Sequence, residues 1–141
     1  MSESAPPADS RATGGCLCGA VRYAVRGDLR DVVNCHCGQC RRIHGHHGAY
    51  SAAAKGDLVV TVERGLAWYA SSDVARRGFC RECGSTLFWE PLERDHVAIA
   101  AGSLDQPTGL KTVGHIHTAD KADYYEIADG LEGSPGAMKR A

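Results

Sequence analysis

Long apolar runs are missing from this 141-residue chain: stretches such as 97–101 last only a few residues, against the roughly 18 needed to cross a bilayer. A membrane-spanning helix is excluded. An excess of one charge is missing too. Sixteen Lys and Arg face 17 Asp and Glu, giving a formal net charge of -1 and a pI near 6.6, so the chain lacks the basic field that holds a nucleic-acid backbone. Aromatics are scarce at 6%, whereas glycine reaches 17 residues, a balance that favours turns and short elements over long helices. The opening MSESAPPADSR has no basic start followed by an apolar stretch; no secretory signal is read there, and the expected compartment is the cytoplasm. The length suits one domain with one core.

Against these absences stand seven cysteines. In a reducing compartment they read as metal ligands or reactive thiols before they read as disulfides. They fall into three knuckles: CxC at Cys16 and Cys18, CxCxxC at Cys35, Cys37 and Cys40, and CxxC at Cys80 and Cys83. Short spacing within a knuckle aims sulfurs at one point, and the fold brings distant knuckles together. A closed structural zinc site takes four ligands, whereas a catalytic one takes three and keeps a position open. Seven sulfurs therefore divide as four plus three. Cys16, Cys18, Cys80 and Cys83 would staple the start of the chain to its middle, and Cys35, Cys37 and Cys40 would form the working site. Spacing alone leaves other pairings open, among them a ribbon of Cys37 and Cys40 with Cys80 and Cys83.

The rest of the chain reads as strands. In 20–26, Val21, Tyr23 and Val25 alternate with Arg22 and Arg26, the period of a half-buried strand. Further strands are expected at 31–35, 49–53, 58–63, 66–69, 86–90, 96–101 and 113–117, with a hairpin joining 58–62 to 66–69. One short helical turn is expected at 40–44. Residues 1–12 read as a flexible tail, 13–131 as the zinc-binding domain and 132–141 as a second tail.

GGCLCGAVRY at 14–23, NCHCGQCRRIHG at 34–45 and RGFCRECGSTLFW at 77–89, followed by IAAGSLD at 99–105 and HIHTADKADYYEIADGL at 115–131, closely resemble the glutathione-dependent formaldehyde-activating enzyme (GFA) family. The resemblance implies a mainly β, β-tent zinc fold of two antiparallel sheets with little helix. It also implies two Zn2+ per chain: a structural ion on Cys16, Cys18, Cys80 and Cys83, and an active-site ion on Cys35, Cys37 and Cys40. The implied activity is that of a carbon-sulfur lyase acting on the adduct of a thiol, glutathione first, with a small formaldehyde-like aldehyde. Residues 43–50, IHGHHGAY, are richer in histidine than the resemblance implies.

That segment supplies the expected catalytic residues, His44 and His46, ahead of His47. All three follow Cys40 within seven residues, close enough for a fourth ligand or a proton carrier. His36, between two ligands, is expected to point away from the metal, and His115 and His117 to lie at a strand edge. Arg41 and Arg42 could meet the carboxylates of a peptide-like thiol. Trp68, Phe79, Phe88 and Trp89 are expected to pack the core. The alternative to an enzyme is a non-enzymatic zinc module for protein interaction, which a fourth protein ligand at the CxCxxC site would favour.

Overall fold

A computed structural model describes residues 3–138. Its elements, in chain order, are β1 (Ala12–Gly15), β2 (Arg22–Val25), β3 (Val32–Cys35), α1 (Gly38–His44), β4 (Gly48–Ala54) and β5 (Leu58–Val62). There follow β6 (Leu66–Ala70), β7 (Ala75–Cys80), β8 (Thr86–Pro91), β9 (His96–Ala100), β10 (Thr112–Ile116) and β11 (Glu132–Gly133). The expectation of a mainly β chain with two sheets and little helix holds, but the larger sheet is not wholly antiparallel, since β10 pairs parallel with both β3 and β11. No helix among the described residues is long and apolar enough to cross a membrane. The ends of the two expected tails, residues 1–2 and 139–141, lie outside the described residues.

The chain divides into two compact units, the first running to Arg30 and resuming over Ser51–Gly109. Here β1, β2 and β5 form a three-stranded antiparallel sheet, while β4, β9, β8, β7 and β6 follow one another in the larger sheet. Val21, Tyr23 and Val25 are fully buried, as the alternation in 20–26 implies, but Ala24 on the opposite face is buried as well, so the strand is covered on both sides there. Tyr23 packs edge-on against Phe88, their ring centroids 5.2 Å apart, and Trp68 stacks on Phe88 at 5.8 Å. The Tyr23 hydroxyl bonds Ser103 Oγ at 2.7 Å, and burial pushes its pKa up to about 12. Residues 3–11 also make bonds: the Ser4 N–H donates to Thr61 O at 2.7 Å, and Arg26 pairs with Asp9 at 2.9 Å.

One sequence expectation fails in this unit, and one strand in it has no periodic signal. The hairpin expected between 58–62 and 66–69 does not form, because β5 pairs with β2 and β6 pairs with β7 in the other sheet. The chain changes sheets at Gly65, whose N–H donates to Ala20 O at 2.9 Å and whose carbonyl accepts from Arg81 N–H at 2.8 Å. The strand β7 was not anticipated, since ARRGFC has no alternation of apolar and polar residues. Its neighbours make it a strand: Arg76 lies 3.9 Å over the Trp68 ring and bonds Glu90 at 2.6 Å.

The second unit comprises Asp31–Tyr50 and the chain from Leu110. Here β3 lies between the first half of β4, antiparallel to it, and β10, parallel to it; β11 adds parallel to β10. Each unit contains one complete cysteine cluster.

Candidate metal centres and the histidine cluster

In the first unit, β1 and β2 are joined by the CxC turn. Gly19 takes a φ of +86° there, a left-handed conformation that glycine adopts without a Cβ clash. The Cys16 N–H donates to Val21 O at 3.0 Å, and the Val21 N–H donates to Cys16 Sγ at 3.2 Å. The second knuckle closes β7 onto β8, with Gly84 at φ +82° and its N–H donating to Cys80 O at 2.7 Å. Ser85 Oγ joins the knuckles, accepting from Leu17 N–H at 3.0 Å and meeting Cys83 Sγ at 3.2 Å. Four sulfurs, those of Cys16, Cys18, Cys80 and Cys83, lie within 4.8 Å of one another.

Their spacing fits a metal. A tetrahedral zinc with bonds of about 2.3 Å sets its sulfurs about 3.8 Å apart, and Cys16–Cys18 and Cys18–Cys80 stand at 3.7 and 3.8 Å. The thiols also compete for negative charge. Hydrogen bonds from Ser85 hold Cys83 down at about 5. For Cys18, the Ala20 N–H acts to lower the pKa, but burial and the sulfurs of Cys83, Cys16 and Cys80 together push it up to about 12. A bound dication would remove that conflict.

Gly65 backs this site. A Cβ there would stand 2.7 Å from Cys80 Sγ and 2.8 Å from Ala20 Cβ. Gly65→Ala is therefore expected to destabilise the protein by about 1–3 kcal/mol through overpacking. Gly56→Ala, where a Cβ meets nothing within 4 Å, should change stability by no more than about 0.5 kcal/mol. Denaturant melts of the pair check this, and equal midpoints would refute it.

In the second unit, Cys35 ends β3, and Cys37 caps α1, its Sγ accepting from the Cys40 N–H at 3.3 Å. Cys40 is buried in the first turn, and the helix stops at Gly45, where φ is +77°. The sulfurs of Cys35, Cys37 and Cys40 lie within 4.8 Å of one another, and no fourth His, Cys, Asp or Glu joins them among the described residues. Cys40 and then burial push the Cys35 thiol up, so this trio too favours a cation. The four-plus-three division is the one the folded chain brings together.

Rings gather at His36, the residue between Cys35 and Cys37, where those of His47, His115 and Tyr125 lie within 6.0 Å. His36 is buried, and its Nε2 lies 2.8 Å from His115 Nδ1, while His115 Nε2 lies 2.7 Å from Asp129 Oδ2. The Leu131 N–H and then His115 hold the Asp129 carboxyl below its usual range, so it accepts. His115 therefore carries a hydrogen on Nε2, and in the neutral ring its Nδ1 accepts from His36 Nε2–H. His115 does not lie at a strand edge as expected, because β10 is flanked by β3 and β11. His117 follows β10 with a φ of +54°.

The two histidines expected to be catalytic each engage a tyrosine. His44 Nε2 lies 2.7 Å from Tyr50 Oη, and His46 Nδ1 lies 2.9 Å from Tyr124 Oη. Tyr124 Oη donates to Gly45 O at 3.2 Å, so His46 Nδ1 donates to Tyr124. The His47 ring lies 4.6 Å from that of His46 and 5.1 Å from that of His36. Its Nδ1 is buried with no hydrogen-bond partner among the described residues. Burial, then the neighbouring His46, lowers its pKa. Sequence reasoning missed Tyr50, Tyr124, Tyr125 and Asp129; only contact across 78 and 14 residues shows Tyr124 and Asp129 as partners of His46 and His115.

A family model described as glutathione-dependent formaldehyde-activating enzyme matches residues 11–120. An uncharacterized lyase of Schizosaccharomyces pombe is 34% identical over 118 residues, covering 82% of this chain and 85% of that protein. A Halomonas elongata protein, provisionally named a glutathione-dependent formaldehyde-activating enzyme, is 32% identical over 126 residues, covering 81% and 79%. A crystal structure of a Rhodobacter sphaeroides protein superposes with a TM-score of 0.58 at 26% identity, over 71% of this chain and 97% of that one.

Proposed function

The chain belongs to the glutathione-dependent formaldehyde-activating enzyme family, and on that premise we propose that it is a zinc-dependent carbon-sulfur lyase. Its substrate would be the adduct of a thiol, glutathione first, with a small formaldehyde-like aldehyde. The observation that carries this reading is the difference between the two clusters: four sulfurs converge in one, and three converge in the other without a fourth donor among the described residues. Cys16, Cys18, Cys80 and Cys83 would hold a structural zinc. Cys35, Cys37 and Cys40 would hold the second. When bound there, that ion supplies a Lewis-acid position that favours the thiolate form of a thiol.

The remaining work belongs to the chain. His36, held through His115 to Asp129, stiffens the knuckle between Cys35 and Cys37. Arg41 and Arg42, on the helix that Cys37 begins, are suited to the two carboxylates of glutathione. His44 and His46 have one ring nitrogen each, Nδ1 and Nε2, outside their bonds to tyrosine, and these could address a bound adduct. A reducing cytoplasm is the compartment in which such a thiol stays free.

The test has two arms. Exchange NMR on glutathione and formaldehyde should show that catalytic amounts of the zinc-loaded protein speed interconversion with S-hydroxymethylglutathione. With Co(II) in place of zinc, thiolate-to-cobalt charge-transfer bands in the near ultraviolet should grow as glutathione is added. A spectrum that ignores glutathione and simpler thiols, but changes in His44→Ala or His46→Ala, would mean that the protein closes the site. The interaction-module reading would then replace the enzyme.

A further inference from the structure

Cleaving a thiohemiacetal needs a group at its oxygen as well as one at its sulfur. In R–S–CH2–OH the carbon-sulfur pair leaves with sulfur, an oxygen lone pair forms the carbonyl, and the hydroxyl proton must depart. That proton ends on the thiol, so nothing is oxidised and no co-reactant is consumed. The three-cysteine cluster addresses only the sulfur.

We propose that His47, through Nδ1, carries the proton of the adduct's oxygen: it takes that proton as the carbon-sulfur bond breaks and returns one as the bond forms. The inference rests on the lyase reading and adds its oxygen-side residue. Three observations carry it. First, His47 Nδ1 is a buried nitrogen with no partner among the described residues. Leaving such a group unsatisfied is costly, so a native chain retains one where a ligand or solvent atom completes it. His44 and His46 present no such atom, and each is bound to a tyrosine.

Second, strand register places His47 opposite His36, the residue between Cys35 and Cys37. Asn34 faces Ala49 and Cys35 faces Gly48 across the β3–β4 ladder, so the next positions outward are His36, between two cysteines of the trio, and His47. Third, the ring is held without using Nδ1. It rests between His36 at 5.1 Å and His46 at 4.6 Å, with Tyr125 at 6.2 Å. His36 is itself anchored through His115 to Asp129. A ring packed against its neighbours, with Nδ1 uncommitted, can meet a small substrate at little further cost in entropy.

The experiment compares wild type with His47→Phe, which keeps a ring without polar atoms, and His47→Asn, which keeps a hydrogen-bonding amide near Nδ1 but neither takes up nor releases a proton near neutral pH. Zinc content and glutathione affinity, the latter from the cobalt spectrum, are measured beside the rate of S-hydroxymethylglutathione cleavage. Both variants should retain two zinc ions and bind glutathione within about threefold of wild type. Their kcat should fall by about 10²–10⁴-fold, and added imidazole should restore part of the rate in His47→Ala. If His47→Phe does not fold, His47→Asn decides alone. An unchanged kcat, a loss confined to KM, or a fall from two zinc ions to one would overturn the proposal. If the wild-type protein itself fails to accelerate the reaction, the lyase reading falls, an outcome distinct from an active wild type with an equally active His47 variant.

Discussion

Replacing Cys80 with serine is expected to unfold the protein, removing its cooperative thermal transition and most of its far-ultraviolet strand signal. Cys80 ends β7, is fully buried, and places its sulfur 3.8 Å from that of Cys18. Through it the CxC turn between β1 and β2 is tied to the β7–β8 hairpin, 62 residues further along. A structural zinc contributes about 10–16 kcal/mol of apparent binding free energy to folding, as much as the whole net stability of a typical domain, about 5–15 kcal/mol. A serine hydroxyl stays protonated at neutral pH and cannot replace a thiolate. Prolonged chelation of the wild type should reproduce the effect. A melt of Cys80→Ser within about 5 °C of wild type, the shift expected from about 1 kcal/mol, would show that the four sulfurs do not carry the fold.

Cys37→Ser is expected to do the opposite: to leave a folded protein with one zinc instead of two and no measurable lyase activity. The expectation of an intact fold comes from the local geometry. Cys37 is the N-cap of α1, and its sulfur accepts the Cys40 N–H at 3.3 Å. Serine is among the best residues at that position, so the helix start survives while the third thiolate is lost. Its melting temperature should stay within about 5 °C of wild type, with activity down by at least about 10³-fold. Comparable large losses of stability in Cys80→Ser and Cys37→Ser would remove the distinction between a structural and a working cluster.

The parts of this molecule legible in the sequence are those whose physics is local. Knuckle spacing is a property of a few consecutive residues, so the grouping of seven cysteines into three knuckles could be read without a fold, whereas only the fold brings Cys16 and Cys18 to Cys80 and Cys83. Alternation likewise marked β2 at Tyr23 and Val25, with Val21 just before it, and apolar runs marked β3, β5, β8 and β9. The strand β7 was not legible because its two arginines are made strand-like by Trp68 and Glu90, which lie on other strands. The hairpin expected at Gly65 failed for a related reason, since bonds to Ala20 and Arg81 turn the chain there into the other sheet.

For the site, the sequence alone determined which cysteines could be ligands and that histidines crowd the segment after Cys40. It could not rank those histidines, because the state of an imidazole nitrogen depends on what stands opposite it. Tertiary structure decided that. Tyr50 meets His44 and Tyr124 meets His46, Asp129 and His115 orient His36, and His47 Nδ1 is left buried without a partner among the described residues. These partners reach across the parallel pairing of β10 with β3 and from the segment beyond β10. No periodicity encodes such contacts, because each depends on where the folded backbone brings distant residues together.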